Sequence, residues 1–347
     1  MELHYSHTNS AVDVMIDNLL EVATGIGQPH IIREMIITAL KAGQESDYPA
    51  DLKLILSTMK EMRYTNKVFA PYRDRRKVTI FGSARTPTDA AVYHTCVRFS
   101  RLLADRGYMI ITGGGPGIMQ AGNEGAGSEN SFAVNIRLPF EQAPNPIMSA
   151  TDRLITYKYF FNRKVAFVKE SQAIAVFPGG FGTLDEAMEV FTLIQTGKTS
   201  PKPLVLIDDG SGFWTHWLEF LKNRLLGNSL ISGEDFSLFT ITSEADEAVS
   251  VIEEFYRNYH SIRFVRGMLV IRLNSDLTKA EIATLESEFP ELLQPETHIT
   301  ATPPLPEEYD EPDILSLPRL LVPFDHRHYG LLMAVIWRIN SFRGVSR

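Results

Sequence analysis

The stretch "FPGGFGTLDEAMEVF", residues 177–191, decides the fold. It puts Gly179, Gly180, Gly182 and Thr183 at the joint between an apolar run, "QAIAVFPGG" (172–180), and a run whose apolar residues recur at helical spacing. A short apolar run that turns through glycines into a helix reads as the strand–bend–helix join of a parallel α/β sheet. A second cluster, "TGGGPGIMQAGNEGA" (112–126), follows the apolar run "YMIITGG" (108–114) and opens another helical pattern. Further strands are expected at "KVTIFG" (77–82), "FAVNIR" (132–137) and "PLVLID" (203–208). Between the first two strands, Val92, Cys96, Phe99 and Leu103 recur at three- and four-residue steps, and Gly107 can close that helix in the left-handed conformation. Nearly continuous apolar strands separated by helices predict a doubly wound α/β sheet covered on both faces. Ligands of such sheets sit beyond the carboxyl ends of the strands, where both glycine clusters fall.

Working outward, the chain divides into three zones: a helical extension over 1–76, the α/β domain over 77–259 and a smaller α+β extension over 260–347. The first carries Val12, Met15, Ile16, Leu19, Leu20 and Val22, then Leu52, Leu54, Ile55, Met59 and Met62, at amphipathic helical spacing. It ends in a basic connector, "APYRDRRK" (70–77). The last zone reads as a strand, then a helix capped near Asp276 or Thr278, a proline- and acid-rich connector "TATPPLPEEYDEPDILSLP", and a terminal apolar helix "YGLLMAVIWRINSF". So apolar a helix is expected to pack on its neighbours or across a dimer interface.

Composition narrows the function classes. The 347 residues are 44% hydrophobic and 22% charged, with a net charge of −8. That is ordinary for a globular protein, and the overall field opposes non-specific binding to nucleic acid or an anionic membrane. The single cysteine, Cys96, forms no intramolecular disulfide and no cysteine-rich metal site. The start, "MELHYSHTNSAVDVM", lacks the layout of a secretory signal, and no apolar run reaches the ~18 residues of a membrane span. A cytoplasmic protein without metal or cofactor is expected. His326 and His328 in "FDHRHYG" alternate instead of clustering at metal spacing and read as structural.

Both glycine clusters stand where phosphate sites are made. The first amides of a helix are unpaired, the helix dipole attracts anions, and glycine lets backbone approach a phosphate. Two familiar variants are excluded by spacing. A dinucleotide fingerprint starting at Gly113 would need glycine where Ile118 stands, and the third strand runs into Arg137 and Leu138 instead of a ribose-binding acid. A P-loop ending in "TGKT" (196–199) would need glycine where Thr192 stands.

The motifs "GGGPGIM" (113–119) and "PGGFGTLDE" (178–186) resemble the two signatures of the Lonely Guy family, the second in full. The resemblance covers about residues 77–259. It implies a Rossmann-like fold, a homodimer or higher even oligomer, and phosphoribohydrolase activity on nucleoside 5′-monophosphates, with AMP or a cytokinin riboside monophosphate as substrate. It also explains the acids that follow a phosphate loop. Cleaving the base from ribose develops positive charge on the sugar, which a carboxylate can stabilise while orienting the attacking water.

The resemblance implies catalytic roles for Glu186 and for Arg163 in "YFFNRKVAFVKES". Gly82, Ser83, Gly113, Gly114, Gly115, Gly117, Met119, Lys164, Gly179, Gly180, Gly182 and Thr183 are the implied substrate and phosphate contacts. Asn162 stands where many members have an acid or histidine. Arg85 near the pocket and Asn123 on base or ribose are lesser expectations, and Asp185 reads as an exposed acid. The alternative is a non-catalytic nucleotide or molybdenum-cofactor carrier on the same fold, since fold alone does not settle function. Lysine decarboxylation, a label the family has carried, would need a Schiff-base lysine that neither loop supplies. The flanking zones are read first as oligomer scaffolding and second as effector-binding segments.

Overall fold

The computed structural model describes residues 10–138, 143–208 and 210–342. These form two compact units that meet between Tyr64 and Thr65. The first unit holds α1 (Ser10–Val22), α2 (Pro29–Glu45) and most of α3 (Pro49–Phe69). Pro29 opens α2, where a missing N–H costs nothing. Arg33 of α2 reaches Asp13 and Asp17 of α1 at 3.1 and 2.9 Å. Ile16 and Ile37 are buried, while Met15, Leu19 and Val22 are exposed.

The second unit is built on seven parallel strands: β1 (Lys77–Phe81), β2 (Met109–Thr112), β3 (Ser131–Ile136), β4 (Leu154–Tyr157), β5 (Ala173–Val176), β6 (Leu204–Ile207) and β7 (Thr240–Thr242). Their order is β4-β3-β2-β1-β5-β6-β7. The chain therefore winds outward from β1 in one direction, then returns to β5 and winds in the other. The reversal lies between β1 and β5, where adjacent loops diverge and leave a crevice.

Side chains alternate across the sheet as the two-residue period requires. Val78, Ile80, Ile110, Ala173, Ala175, Val205 and Ile207 enter one core, with α4 (Ala91–Asp105), α5 (Ile118–Ala126) and α9 (Ala245–Phe255). Phe81, Met109, Ile111, Ile174, Val176, Leu204 and Leu206 enter the other, with α6 (Phe160–Lys169), α7 (Phe181–Gln195) and α8 (Phe213–Phe220). Gly107, at φ +84°, ends α4 as its sequence predicts, and Phe69 at the end of α3 stacks on Phe132 at 4.2 Å.

The C-terminal zone is more ordered than its sequence suggests. β8 (Tyr259–Val265), β9 (Met268–Leu273), β10 (Thr300–Thr302) and β11 (Arg319–Val322) form an antiparallel sheet ordered β10-β11-β9-β8. The helix α10 (Lys279–Glu288) begins with a Thr278–Glu281 capping box. The acid-rich segment is no loose connector: Glu308 is fully buried between Arg272 and Arg319, and Asp310 and Glu311 hold Arg263. The last helix, α11 (Tyr329–Ser341), sends Leu332, Val335 and Ile336 into the core shared with the parallel sheet. Asn340 ties it down, accepting from the amides of Asn258 and Tyr259 at 2.8 and 2.9 Å.

Candidate active site

A cavity of about 820 Å³ opens at the carboxyl ends of β1, β2 and β5, in the crevice at the strand-order reversal. Its floor is three bends joined through one residue. The Ser83 amide, just past β1, donates to Pro178 O at 3.1 Å, and Ser83 O accepts from the amide of Ile118 at 3.0 Å. The two glycine clusters are thereby pinned to either side of the same backbone segment.

The first bend is packed shut against its surroundings. Gly117 has φ +65°, and a Cβ there would lie 2.3 Å from Ser83 O. A Cβ on Gly114 would meet that of Ala133 at 2.9 Å, and one on Gly113 would meet Met119 Sδ at 2.7 Å. The Gly114 amide donates to Thr112 Oγ1, while Asn145 caps the carbonyls of Gly114 and Gly115. The second bend differs: added Cβ atoms on Gly180 and Gly182 would touch nothing within 4 Å. The helix α7 starts there with no side chain capping its first amides, which leaves donors for an anion.

One turn beyond these amides stands a buried carboxylate. Glu186 lies one turn into α7, three residues after Thr183, so both share a helical face. Glu186 is 6% exposed and lines the cavity with Thr183 and Arg163. Arg163 Nη2 approaches Glu186 Oε1 at 3.5 Å, and Lys164 Nζ approaches Oε2 at 3.3 Å. Burial pushes the Glu186 carboxyl above the usual carboxylate range, while Lys164 and Arg163 oppose that rise by favouring its ionised form. Burial also lowers Arg163, against the attraction of Glu186 and Asp185, and Arg163 Nε is buried without a hydrogen-bond partner.

The residues singled out from sequence separate cleanly. Gly82, Ser83, Arg85, Gly113, Gly115, Met119, Arg163, Gly179, Gly180, Gly182, Thr183 and Glu186 line this cavity. Gly114 and Gly117 do not; they shape the first bend from behind. Lys164 does not either: it lines a different cavity, where Asp185 and Glu189 hold it at 2.9 and 2.8 Å. Asn123 faces away from the cavity's lining, fully buried, and accepts from Thr112 Oγ1 and Asn145 Nδ2 as a brace for the first bend. Asn162 is buried within α6, outside the lining. His328 pairs with Asp325 and His326 reaches Gly267 O, both distant in sequence and fold from the cavity. Among the described residues no group of three His, Cys, Asp or Glu could hold a metal ion.

Sequence reasoning missed the aromatic and apolar walls: Leu138, Phe160, Phe167, Leu184 and Phe213, with Phe181 94% exposed at the mouth. An apolar residue in a helical pattern reads as core, and only its exposure reveals otherwise. The one usable signal was the position of Phe181 between Gly180 and Gly182.

The chain has relatives among known proteins. A family profile described as possible lysine decarboxylase matches residues 116–252, spanning the second bend and Glu186. Cytokinin riboside 5′-monophosphate phosphoribohydrolase LOG2 of Arabidopsis thaliana is 23% identical over 183 residues, covering 52% of this chain and 84% of its own. Over its α/β domain the chain is similar to the Lonely Guy family. A second relative, the cytokinin riboside 5′-monophosphate phosphoribohydrolase of Mycobacterium tuberculosis, is 26% identical over 172 residues, 48% of this chain and 88% of its own. Among solved structures, the molybdenum cofactor carrier protein of Chlamydomonas reinhardtii aligns with 52% of this chain and 97% of its own, at 17% identity and a TM-score of 0.37. The alignment with LOG2 covers about half of the chain, and the family profile leaves both flanking zones outside it.

Proposed function

We propose that this protein hydrolyses the N-glycosidic bond of a nucleoside 5′-monophosphate, AMP or a cytokinin riboside monophosphate, releasing free base and ribose 5-phosphate. The observation that carries this reading is the Arg163–Glu186 pair, buried in the same cavity as the uncapped amides of the second bend. The phosphate is held by the amides following Gly180 and by the Thr183 hydroxyl, with Gly113 and Gly115 opposite. Glu186 serves the sugar. Its ionised carboxylate stabilises the charge that develops at the anomeric carbon and takes a proton from the attacking water. The water oxygen bonds to that carbon, the carbon–nitrogen bond breaks, and its electron pair leaves on the base, which is then protonated. Arg163 orients the carboxylate and keeps it ionised despite its burial. The exposed ring of Phe181 offers a stacking face for a base.

Lysine decarboxylation draws no support from this site. The nearest lysine, Lys164, is held as a cation: burial works against its charge, but bonds to Asp185 and Glu189 outweigh burial and raise its proton affinity. A Schiff base requires a neutral amine.

The deciding experiment incubates the protein with AMP and with a panel of purine and pyrimidine monophosphates, detecting products by mass spectrometry. Free base and ribose 5-phosphate are expected, and Glu186→Gln should lower turnover by about 10³-fold while retaining nucleotide binding. Release of no base from any monophosphate would sink the proposal, and tight binding without turnover would favour a carrier. The proposal includes a homo-oligomer, supported by the exposed Met15, Leu19 and Val22 of the first unit. Light scattering should then report a smaller particle for Met15→Glu/Leu19→Glu than for the wild type.

A further inference from the structure

The second cavity, about 790 Å³, lies at the opposite end of the parallel sheet. Its walls come from segments that precede β1, β5 and β6, residues 73–76, 171–172 and 198–202, closed over by α6 and α7. The basic connector that ends the N-terminal zone is one of these walls. In a chain of net charge −8, the lining contains Arg73, Arg75, Arg76, three further lysines from elsewhere in the chain and Lys164, against only Asp74 and Glu189 as acids. Such a local reversal of sign focuses a field that attracts anions.

The cations have distinct standing. Arg75 is committed to Gly107 O and Asn130, and Lys169 to Asn66 and Glu170. Lys202 is buried, donating to Val168 O and Ser171 O, and burial lowers its pKa to about 8. A bound anion would relieve that cost. Arg76 lies over the Tyr256 ring at 4.3 Å. Arg73 and Lys198 are exposed and form no ion pair among the described residues. The uncommitted charges thus surround an opening of nucleotide size, with Val165, Leu193 and Tyr259 as apolar wall.

We infer that this cavity binds a multiply phosphorylated small molecule, and that its occupancy is coupled to Glu186 through Lys164. The coupling follows from two adjacent residues of α6. Arg163 reaches the first cavity and approaches one oxygen of Glu186, while Lys164 lines the second and approaches the other. An anion in the second cavity competes with Glu186, Asp185 and Glu189 for Lys164. Lys164 is therefore a positioning residue, and the carboxylate is the element on which both cavities pull. Linkage makes the effect reciprocal: weakening the hold of Glu186 on Lys164 must strengthen anion binding.

The test uses the full chain and tripolyphosphate as the probe, with binding read by calorimetry so that it does not depend on turnover or on the identity of the substrate. Arg73→Glu/Lys198→Glu should weaken binding at least tenfold, while Thr183→Val, at the first cavity, should leave it unchanged. Glu186→Gln should tighten binding severalfold. No binding, equal binding to the Arg73→Glu/Lys198→Glu variant, or loss in Thr183→Val would overturn the site. An unchanged affinity in Glu186→Gln would overturn the coupling. Failure of the hydrolase reading would appear instead as absence of base release from AMP with tripolyphosphate binding intact.

Discussion

The two glycine bends look alike in sequence and behave differently in space. In the first, three glycines are demanded by protein atoms: Ser83 O behind Gly117, Ala133 behind Gly114, Met119 beside Gly113. In the second, Gly180 and Gly182 face open space, and nothing in the protein requires their lack of a side chain. The first bend is a packing device that fixes how α5 leaves β2. The second is packed only at its start, where a Cβ on Gly179 would collide with Thr183 and the Ser83 amide, and is a free edge at Gly180 and Gly182. Packing thus accounts for Gly113, Gly114 and Gly117 on one side of the crevice and makes no such demand on Gly180 and Gly182 on the other.

Substitutions can break this contrast. Gly117→Ala should have the largest effect, about 4 kcal/mol of stability, because it adds a Cβ inside contact distance at a backbone conformation that suits only glycine. Thermal or denaturant unfolding measures it, and an unchanged midpoint would mean the first bend is not packing-limited. Gly180→Ala should leave the unfolding midpoint where it is and weaken AMP binding about 100-fold, roughly 2.7 kcal/mol. A loss of stability there would erase the distinction between the bends. Thr183→Val, which keeps shape and removes one hydroxyl, should cost about tenfold in AMP affinity, consistent with a single hydrogen bond of about 1.4 kcal/mol to a charged group.

The smallest effect concerns pH. The Glu186 carboxyl is raised by burial, so the ionised form that the proposed hydrolysis requires accumulates only above the usual carboxylate range. The acid limb of kcat/KM should lie correspondingly high, with activity falling as pH drops through it. Lys164 lowers the proton affinity of Glu186. Lys164→Met should therefore move the limb to higher pH. A limb that stays in place would remove Lys164 from the control of this carboxylate.

Much of this architecture is legible in the chain itself. The five apolar runs that become β1, β2, β3, β5 and β6 are buried on both faces, and such strands carry little polar interruption. The two parallel strands that escaped, β4 and β7, are the sheet edges, where the exposed Thr156 and the half-buried Thr240 dilute the apolar signal. The antiparallel β10 and β11 escaped for another reason. Arg319 reads as a polar break, yet it is buried because Glu308, eleven positions earlier in the chain, neutralises it. No local pattern reveals a partner that only chain reversal supplies.

The site was legible to a similar depth. Thr183 and Glu186 fall on one face because they are three residues apart in a helix, which spacing alone dictates. The alternation of the strands, the caps of the helices and the existence of two amide-rich bends were likewise determined locally, by φ/ψ preference and side-chain period. What only the tertiary structure decided is which side of each element became a wall. Arg163 and Lys164 are neighbours in sequence, but successive helix residues diverge by about 100°. The packing of α6 across the sheet turns that angle into a separation, sending one side chain to each end of the molecule's central sheet with Glu186 between them. Local rules fix the angle, and long-range packing fixes what lies at the end of each direction.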